Sequence, residues 1–195
     1  GEYKVMTGNQ TGVVLLDYVL GALQRTGKLP ANAVALKTIV TTEMAKAVAE
    51  SYGAKCYDTF TGFKFIAEKK NALESTGEGK VLLSYEESYG YMAGDYVRDK
   101  DAVTASLLLT EMAAYYADKG MTVLEALQEL YNKHGWYGEK THNLVMPGLD
   151  GLADMAKLMK SLRETPPAEI SGVKVVQFKD YADGSVTDCA TGAKS

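Results

Sequence analysis

Between residues 34 and 84, short apolar runs alternate with stretches of helical pattern, and nothing else in the chain narrows its fold so far. Val34 to Val40 reads as a strand. Thr42 opens a helix that runs to about Tyr52, where Gly53 ends it. Ala54 to Asp58 reads as a second strand, followed by the loop Thr59-Phe60-Thr61-Gly62 and a helix from about Phe63 to Glu74. Lys80 to Ser84 is a third strand. Such short apolar strands need cover on both faces, and a helix between successive strands provides the crossover that parallel pairing requires. The pattern predicts an α/β fold: three layers, α/β/α, around a mainly parallel, mixed sheet.

The flanking segments extend this scheme. Gly1 to Met6 reads as the end of a strand, and Gly12 to Arg25 as a helix capped by Thr11 and stopped by Gly27 and Pro30. Tyr85 to Lys100 reads as a polar loop and Asp101 to Lys119 as a long helix. Thr122 and Glu125 form a capping box for a helix to about Lys133. Tyr137 to Met146 reads as a fourth strand, anchored in the core by Trp136. Gly151 to Glu164 is an amphipathic helix stopped by Pro166-Pro167, and Val173 to Phe178 is a last strand. Beyond Tyr181 the chain is small and polar and is expected to be loose.

Composition removes several classes of function. The 195 residues are 46% hydrophobic and 24% charged, ordinary for a chain with a real core and unlike a disordered one. Lys and Arg number 21 against 25 Asp and Glu, a net charge of −4. Such a chain has no overall field for nucleic acid or an anionic membrane, and neither is expected as a partner. No apolar run reaches the roughly 18 residues of a spanning helix, and no signal-peptide pattern opens the chain. Cys56 and Cys189 lie far apart and in no metal-ligand spacing, which fits a reducing compartment such as the cytoplasm.

In an open α/β sheet, ligands bind outside the carboxyl ends of strands. Three loops leave such ends: Thr41-Thr42-Glu43, Thr59 to Lys64, and Tyr85 to Lys100. Tyr85-Glu86-Glu87-Ser88-Tyr89-Gly90 sets two carboxylates and a hydroxyl directly after a buried strand. Those groups form directional hydrogen bonds with sugar hydroxyls; solvated turn residues are the alternative. Lys64 stands at a helix start, where the dipole disfavours a cation unless an anion sits close by; a plain surface lysine is the alternative. Arg98-Asp99-Lys100-Asp101 reads equally as a solvated helix start. Gly77-Glu78-Gly79-Lys80 lacks the first glycine and the final hydroxyl of a phosphate-binding P-loop, and His134 and His142 have no ligand partners at metal spacing.

Taken together, the loops say more. Thr59-Phe60-Thr61-Gly62-Phe63-Lys64-Phe65, then Tyr85-Glu86-Glu87-Ser88-Tyr89-Gly90, then Tyr96-Val97-Arg98-Asp99-Lys100-Asp101 resemble, in order and interval, the third domain of the α-D-phosphohexomutases. The match is closest to the phosphoglucomutase and phosphomannomutase branch. The resemblance implies a sugar-gripping domain of an enzyme that moves a phosphoryl group between C1 and C6 of a hexose. Glu86 and Ser88 would contact sugar hydroxyls. Lys64 and Lys100 would lie near the substrate or the transferring phosphoryl group, and Thr61 and Gly62 would shape the loop that receives the ring.

The same resemblance implies a division of the chain. Residues 1–30 would be the tail of a preceding domain and a linking helix, 31–180 the third domain, and 181–195 a linker toward a fourth. The family's phosphoserine loop, aspartate-rich Mg²⁺ loop and phosphate loop are not in this sequence, so no catalytic or metal-binding residue is expected on the chain, which alone would be inactive. Mg²⁺ and a hexose bisphosphate activator would belong to the full-length enzyme. The partners implied are a hexose phosphate and the remaining domains. Tyr85 stands where the family commonly has glycine, and the histidine of some mannose-accepting members is absent, which favours glucose. A freestanding sugar-phosphate-binding or regulatory module is the alternative.

Overall fold

A computed structural model describes residues 3–141 and 143–195. The expectations that touch Gly1, Glu2 and His142 (the leading strand remnant, part of the fourth strand, one surface histidine) lie in that measure outside the described residues, but Tyr3 to Met6 are described and form no strand, contrary to expectation. The chain forms two compact units, residues 1–141 and 142–195.

In the first unit, α1 (Gly8–Arg25) precedes β1 (Ala33–Thr38), α2 (Met44–Ser51), β2 (Lys55–Thr59), α3 (Phe63–Thr76), β3 (Lys80–Glu86), β4 (Gly90–Ala93), α4 (Ala102–Asp118) and α5 (Val123–His134). The sheet order is β2-β1-β3-β4, with β1 parallel to both neighbours and β4 antiparallel to β3. The chain steps one way from β1 to β2 and the other way from β2 to β3. Right-handed crossovers then put α2 and α3 on opposite faces.

The core follows that division. Ala33 and Ala35 of β1 pack with α1, α2, α4 and α5, whereas Val34 and Leu36 pack with Phe63, Ile66 and Leu73 of α3. Every residue of β1 is buried, as a central strand covered on both faces must be. In β3 the pairing slips by one residue opposite Val34 and Ala35, so Val81 faces α3 while Leu83 and Tyr85 face the other layer. This is the expected three-layer α/β/α domain with a mixed sheet.

Several expectations need correction. Helix α1 starts at Gly8, not Gly12, because Thr7 and Gln10 close a capping box there. The polar loop after β3 contains β4, which pairs back onto β3 as a hairpin. Tyr137 to Met146 contains no strand among its described residues, and Trp136 is 74% exposed, its ring tilted 36° against that of Tyr131, rather than a core anchor.

In the second unit, α6 (Gly151–Glu164) follows the expected span. Val173 to Phe178 is split between β6 (Val173–Lys174), which pairs with β5 (Glu169–Ile170), and β7 (Gln177–Asp180), which pairs with β8 (Ser185–Asp188). The stretch beyond Tyr181 thus holds a paired strand instead of running loose. Arg163 bonds Asp180 at 2.8 Å, tying α6 to β7. Gly151 is the one buried residue described in this unit.

Candidate functional site

Parallel pairing brings three strand ends to one edge of the sheet. Thr38 lies opposite Thr59, and Lys37 opposite Tyr85. The loops carrying Thr41, Thr61 and Glu86 therefore leave from a shared rim.

Glu86 ends β3, and the turn Glu87-Ser88-Tyr89 returns the chain to Gly90, its partner across the hairpin. Tyr89 takes the left-handed conformation such a loop needs at its last position, with φ 64°. Its hydroxyl donates to the Met6 carbonyl at 2.9 Å. A Cβ on Gly90 would fall 2.6 Å from Lys100 Cδ and 2.8 Å from Glu86 Oε1. A larger residue there would push the ends of both side chains aside. Lys100 Nζ lies 3.7 Å from Glu86 Oε1 and 5.1 Å above the Phe63 ring, so it bridges the hairpin and the start of α3.

Glu86, Ser88 and Lys100 line one open cleft of about 450 Å³. Thr61, Gly62 and Lys64 do not line it. They occupy the adjoining loop, where Gly62 takes φ 111° before α3 and Lys64 lies 4.8 Å over the Phe65 ring. A carboxylate, a hydroxyl and an ammonium around one cleft suit a polyhydroxylated ligand that carries negative charge.

The loop that delivers Lys100 is pinned to α3 by ion pairs. Buried Lys70 bonds Glu74 at 2.8 Å and Asp95 at 3.1 Å, Lys80 also pairs with Asp95, and Arg98 reaches Glu74 at 3.2 Å. Burial pushes the Glu74 carboxyl up, but its bonds to Lys70 and Arg98 prevail and hold it below its ordinary value. Lys80 and then Lys70 hold Asp95 low as well. Past the loop, the Asp101 amide donates to the Tyr91 carbonyl at 3.0 Å, and its carboxylate accepts from the Val103 amide at 3.0 Å to cap α4.

Two further groups shape this rim: Glu87, which the sequence pattern offered with Glu86 as a carboxylate for sugar hydroxyls, and Lys37, to which it gave no role. Glu87 turns inward, where its Oε2 accepts from the Thr38 and Thr41 hydroxyls at 3.1 and 3.4 Å. Lys37, 1% exposed, bonds Asp58 at 2.7 Å and Glu43 at 3.0 Å. Burial lowers its pKa, yet these two carboxylates outweigh that and raise it overall. A lysine inside an apolar strand was the visible signal for Lys37; nothing in the sequence marked the inward turn of Glu87. Glu139 also reaches the rim, where it accepts from the Thr42 hydroxyl, while Asn9 of α1 accepts from the Thr42 amide at 3.2 Å.

Among the described residues, no three His, Cys, Asp or Glu side chains gather as a metal ion requires, and no helix is long and apolar enough to cross a membrane.

Residues 7–134 match the family "Phosphoglucomutase/phosphomannomutase, alpha/beta/alpha domain III". The phosphoglucomutase of Staphylococcus haemolyticus is 33% identical over 181 residues, covering 93% of this chain and 32% of that protein. The phosphoglucomutase of Staphylococcus aureus N315 is 32% identical over 186 residues, 95% of this chain and 33% of that protein. The chain thus spans about a third of the length of these relatives. Among solved structures, the exocytosis-sensitive phosphoprotein parafusin, a phosphoglucomutase of Paramecium in its open form, has the same fold, with a TM-score of 0.58. It is 21% identical, and the match covers 94% of this chain and 31% of that one.

Proposed function

Because the chain belongs to the phosphoglucomutase/phosphomannomutase family, as its α/β/α domain III, we propose that it is the sugar-recognition domain of an enzyme interconverting hexose 1-phosphate and hexose 6-phosphate. The supporting observation is the cleft in which Glu86 faces Lys100 beside Ser88. In this reading the Glu86 carboxylate accepts bonds from adjacent sugar hydroxyls, and Ser88 exchanges one more. Lys100 and Lys64 offset charge on substrate phosphate, and Thr61 and Gly62 shape the loop against the ring. The contribution is orientation plus charge stabilisation, the two effects that carry most of phosphoryl transfer.

Residues 31–180 form the recognition domain in this reading, 1–30 enter from a preceding domain, and 181–195 lead to a following one. The phosphoserine, Mg²⁺ and the site for a bisphosphate activator belong to those other domains, and the whole enzyme works in the cytoplasm. Mg²⁺ would supply Lewis-acid stabilisation of the transferring phosphoryl group there.

The test is steady-state kinetics on glucose 1-phosphate. The isolated chain, with Mg²⁺ and bisphosphate, should give no glucose 6-phosphate above blank. In the polypeptide that joins it to the serine and metal loops, Glu86→Gln should lower kcat/KM about tenfold or more, and Glu86→Ala further, because charge-assisted bonds of ~1.5–3 kcal/mol each are lost. Turnover by the isolated chain, or an unchanged kcat/KM in Glu86→Gln, would overturn the reading.

A further inference from the structure

Helix α1 starts at the rim, where a Cβ on Gly8 would lie 1.9 Å from the Glu87 carbonyl oxygen. Its 18 residues carry the chain about 27 Å away, at 1.5 Å per residue, to Arg25 near the other edge of the sheet. There the ends of α1, α2 and α4 and one side of α5 enclose a second cavity of about 240 Å³.

Tyrosines wall this cavity and cations rim it. The Arg25 guanidinium lies 4.6 Å and the Lys119 ammonium 4.4 Å from the centre of the same Tyr115 ring, and Lys133 lies 5.5 Å from the Tyr52 ring. None of the three pairs with a carboxylate among the described residues. Asp17, an acid in the lining, accepts from the Tyr52 hydroxyl at 2.7 Å and the Tyr116 hydroxyl at 3.4 Å. Glu111 is likewise held, by the Tyr18 hydroxyl at 2.6 Å. Glu129 is the other acid in the lining, so three cations face two carboxylates there, an excess of one positive charge. A Cβ on Gly21 would come 2.9 Å from an Arg25 nitrogen and 3.0 Å from the Tyr52 hydroxyl, so a larger residue there would displace the Arg25 end.

Two cations on one aromatic ring repel each other, and an anion between them relieves that repulsion. The volume falls below the 300–1,000 Å³ typical of drug-sized ligands, which restricts the occupant to a small molecule. We propose that this cavity is a second binding site, remote from the Glu86 rim, for a compact phosphate-bearing anion held by Arg25, Lys119 and Lys133. It goes beyond the sugar-recognition reading and does not depend on it.

The experiment is an amide NMR titration of the chain with inorganic phosphate at constant ionic strength, with glucose 1-phosphate in parallel. Saturable shifts at Arg25, Tyr52, Tyr115 to Lys119 and Lys133 are expected. Lys119→Gln/Lys133→Gln should weaken binding tenfold or more. Lys119→Arg/Lys133→Arg should retain it, and so should Lys157→Gln/Lys160→Gln on α6. Saturation at a lower concentration of glucose 1-phosphate assigns the site to phosphomonoesters, and equal concentrations assign it to free phosphate. Shifts that do not saturate, shifts confined to Lys64 and Lys100, or undiminished binding in the charge-removing double variant would overturn the proposal.

Discussion

Glu86 and Glu87 are adjacent in sequence but do different work. Glu86 opens on the cleft opposite Lys100, whereas Glu87 satisfies two threonine hydroxyls at the end of β1. Glu87→Ala should therefore cost about 1–2 kcal/mol of stability through lost hydrogen bonds, and Glu86→Ala much less, as read from denaturant melts. Equal losses would mean that the two carboxylates are not divided in this way. Tyr85 offers a second test. Its ring fills space that a side chain on Gly12 would occupy, since a Cβ there would lie 2.1 Å from the ring, and its hydroxyl is buried with no partner among the described residues. An orphaned polar group costs ~1–3 kcal/mol, so Tyr85→Phe should raise Tm by several degrees. A lowered Tm would point to a buried water on that hydroxyl. At this scale the sequence was only half legible. The residue types of the rim were readable, but whether a carboxylate faces a cleft or a threonine depends on the turn, and the left-handed Tyr89 that sets it leaves no sequence signal.

Elements were most readable where caps and periodicity agree. Thr122 accepts from the Glu125 amide at 3.2 Å, and the Glu125 carboxylate returns to the Thr122 amide at 2.7 Å, as the Thr-x-x-Glu spacing predicts. Thr122→Ala should cost ~1 kcal/mol in a thermal melt. The same box at Thr7 and Gln10 was overlooked because Gly8 and Asn9 are poor helix formers, and tertiary packing on β3 overrides them. Strand β4 was missed because four residues within a polar stretch carry little period, while Tyr137 to Met146 has strand-like composition but no partner strand among the described residues. The ion pairs between α3 and the Asp95–Arg98 loop give a pH signature. Glu74 and Asp95 have depressed pKa values, so their stabilisation is complete above the unfolded values of about 4 and is lost as pH falls through the lower folded values. Amides of residues 94–100 should exchange faster as pH drops below about 4, once intrinsic rates are corrected. Unchanged protection would remove the ion pairs from any role in holding the Lys100 loop.

The two units of the molecule differ in kind. The first buries apolar side chains on both faces of its sheet, while the second, residues 142–195, has only Gly151 buried among its described residues. Stability follows buried apolar area, so amides of β1 and β3 should outlast those of α6, β7 and β8 in hydrogen exchange by orders of magnitude. Comparable protection in both units would contradict that ranking. Fold class was legible because alternating strands and helices admit few arrangements. The rim was legible because parallel strands must end on one edge. The tyrosine-lined cavity was not, since Arg25, Tyr52, Tyr115 and Lys133 come from separate elements with no shared motif. The central claim is that the rim around Glu86 grips a hexose phosphate. Its most direct test is amide NMR of the chain titrated with glucose 6-phosphate over saturating inorganic phosphate, which occupies any general anion site. Saturable shifts at Glu86 to Gly90, Thr61 to Lys64 and Lys100, with Kd of about millimolar order, are expected, and Glu86→Gln should weaken them severalfold. Shifts that spare these three segments, or a Glu86→Gln titration identical to the parent, would contradict it.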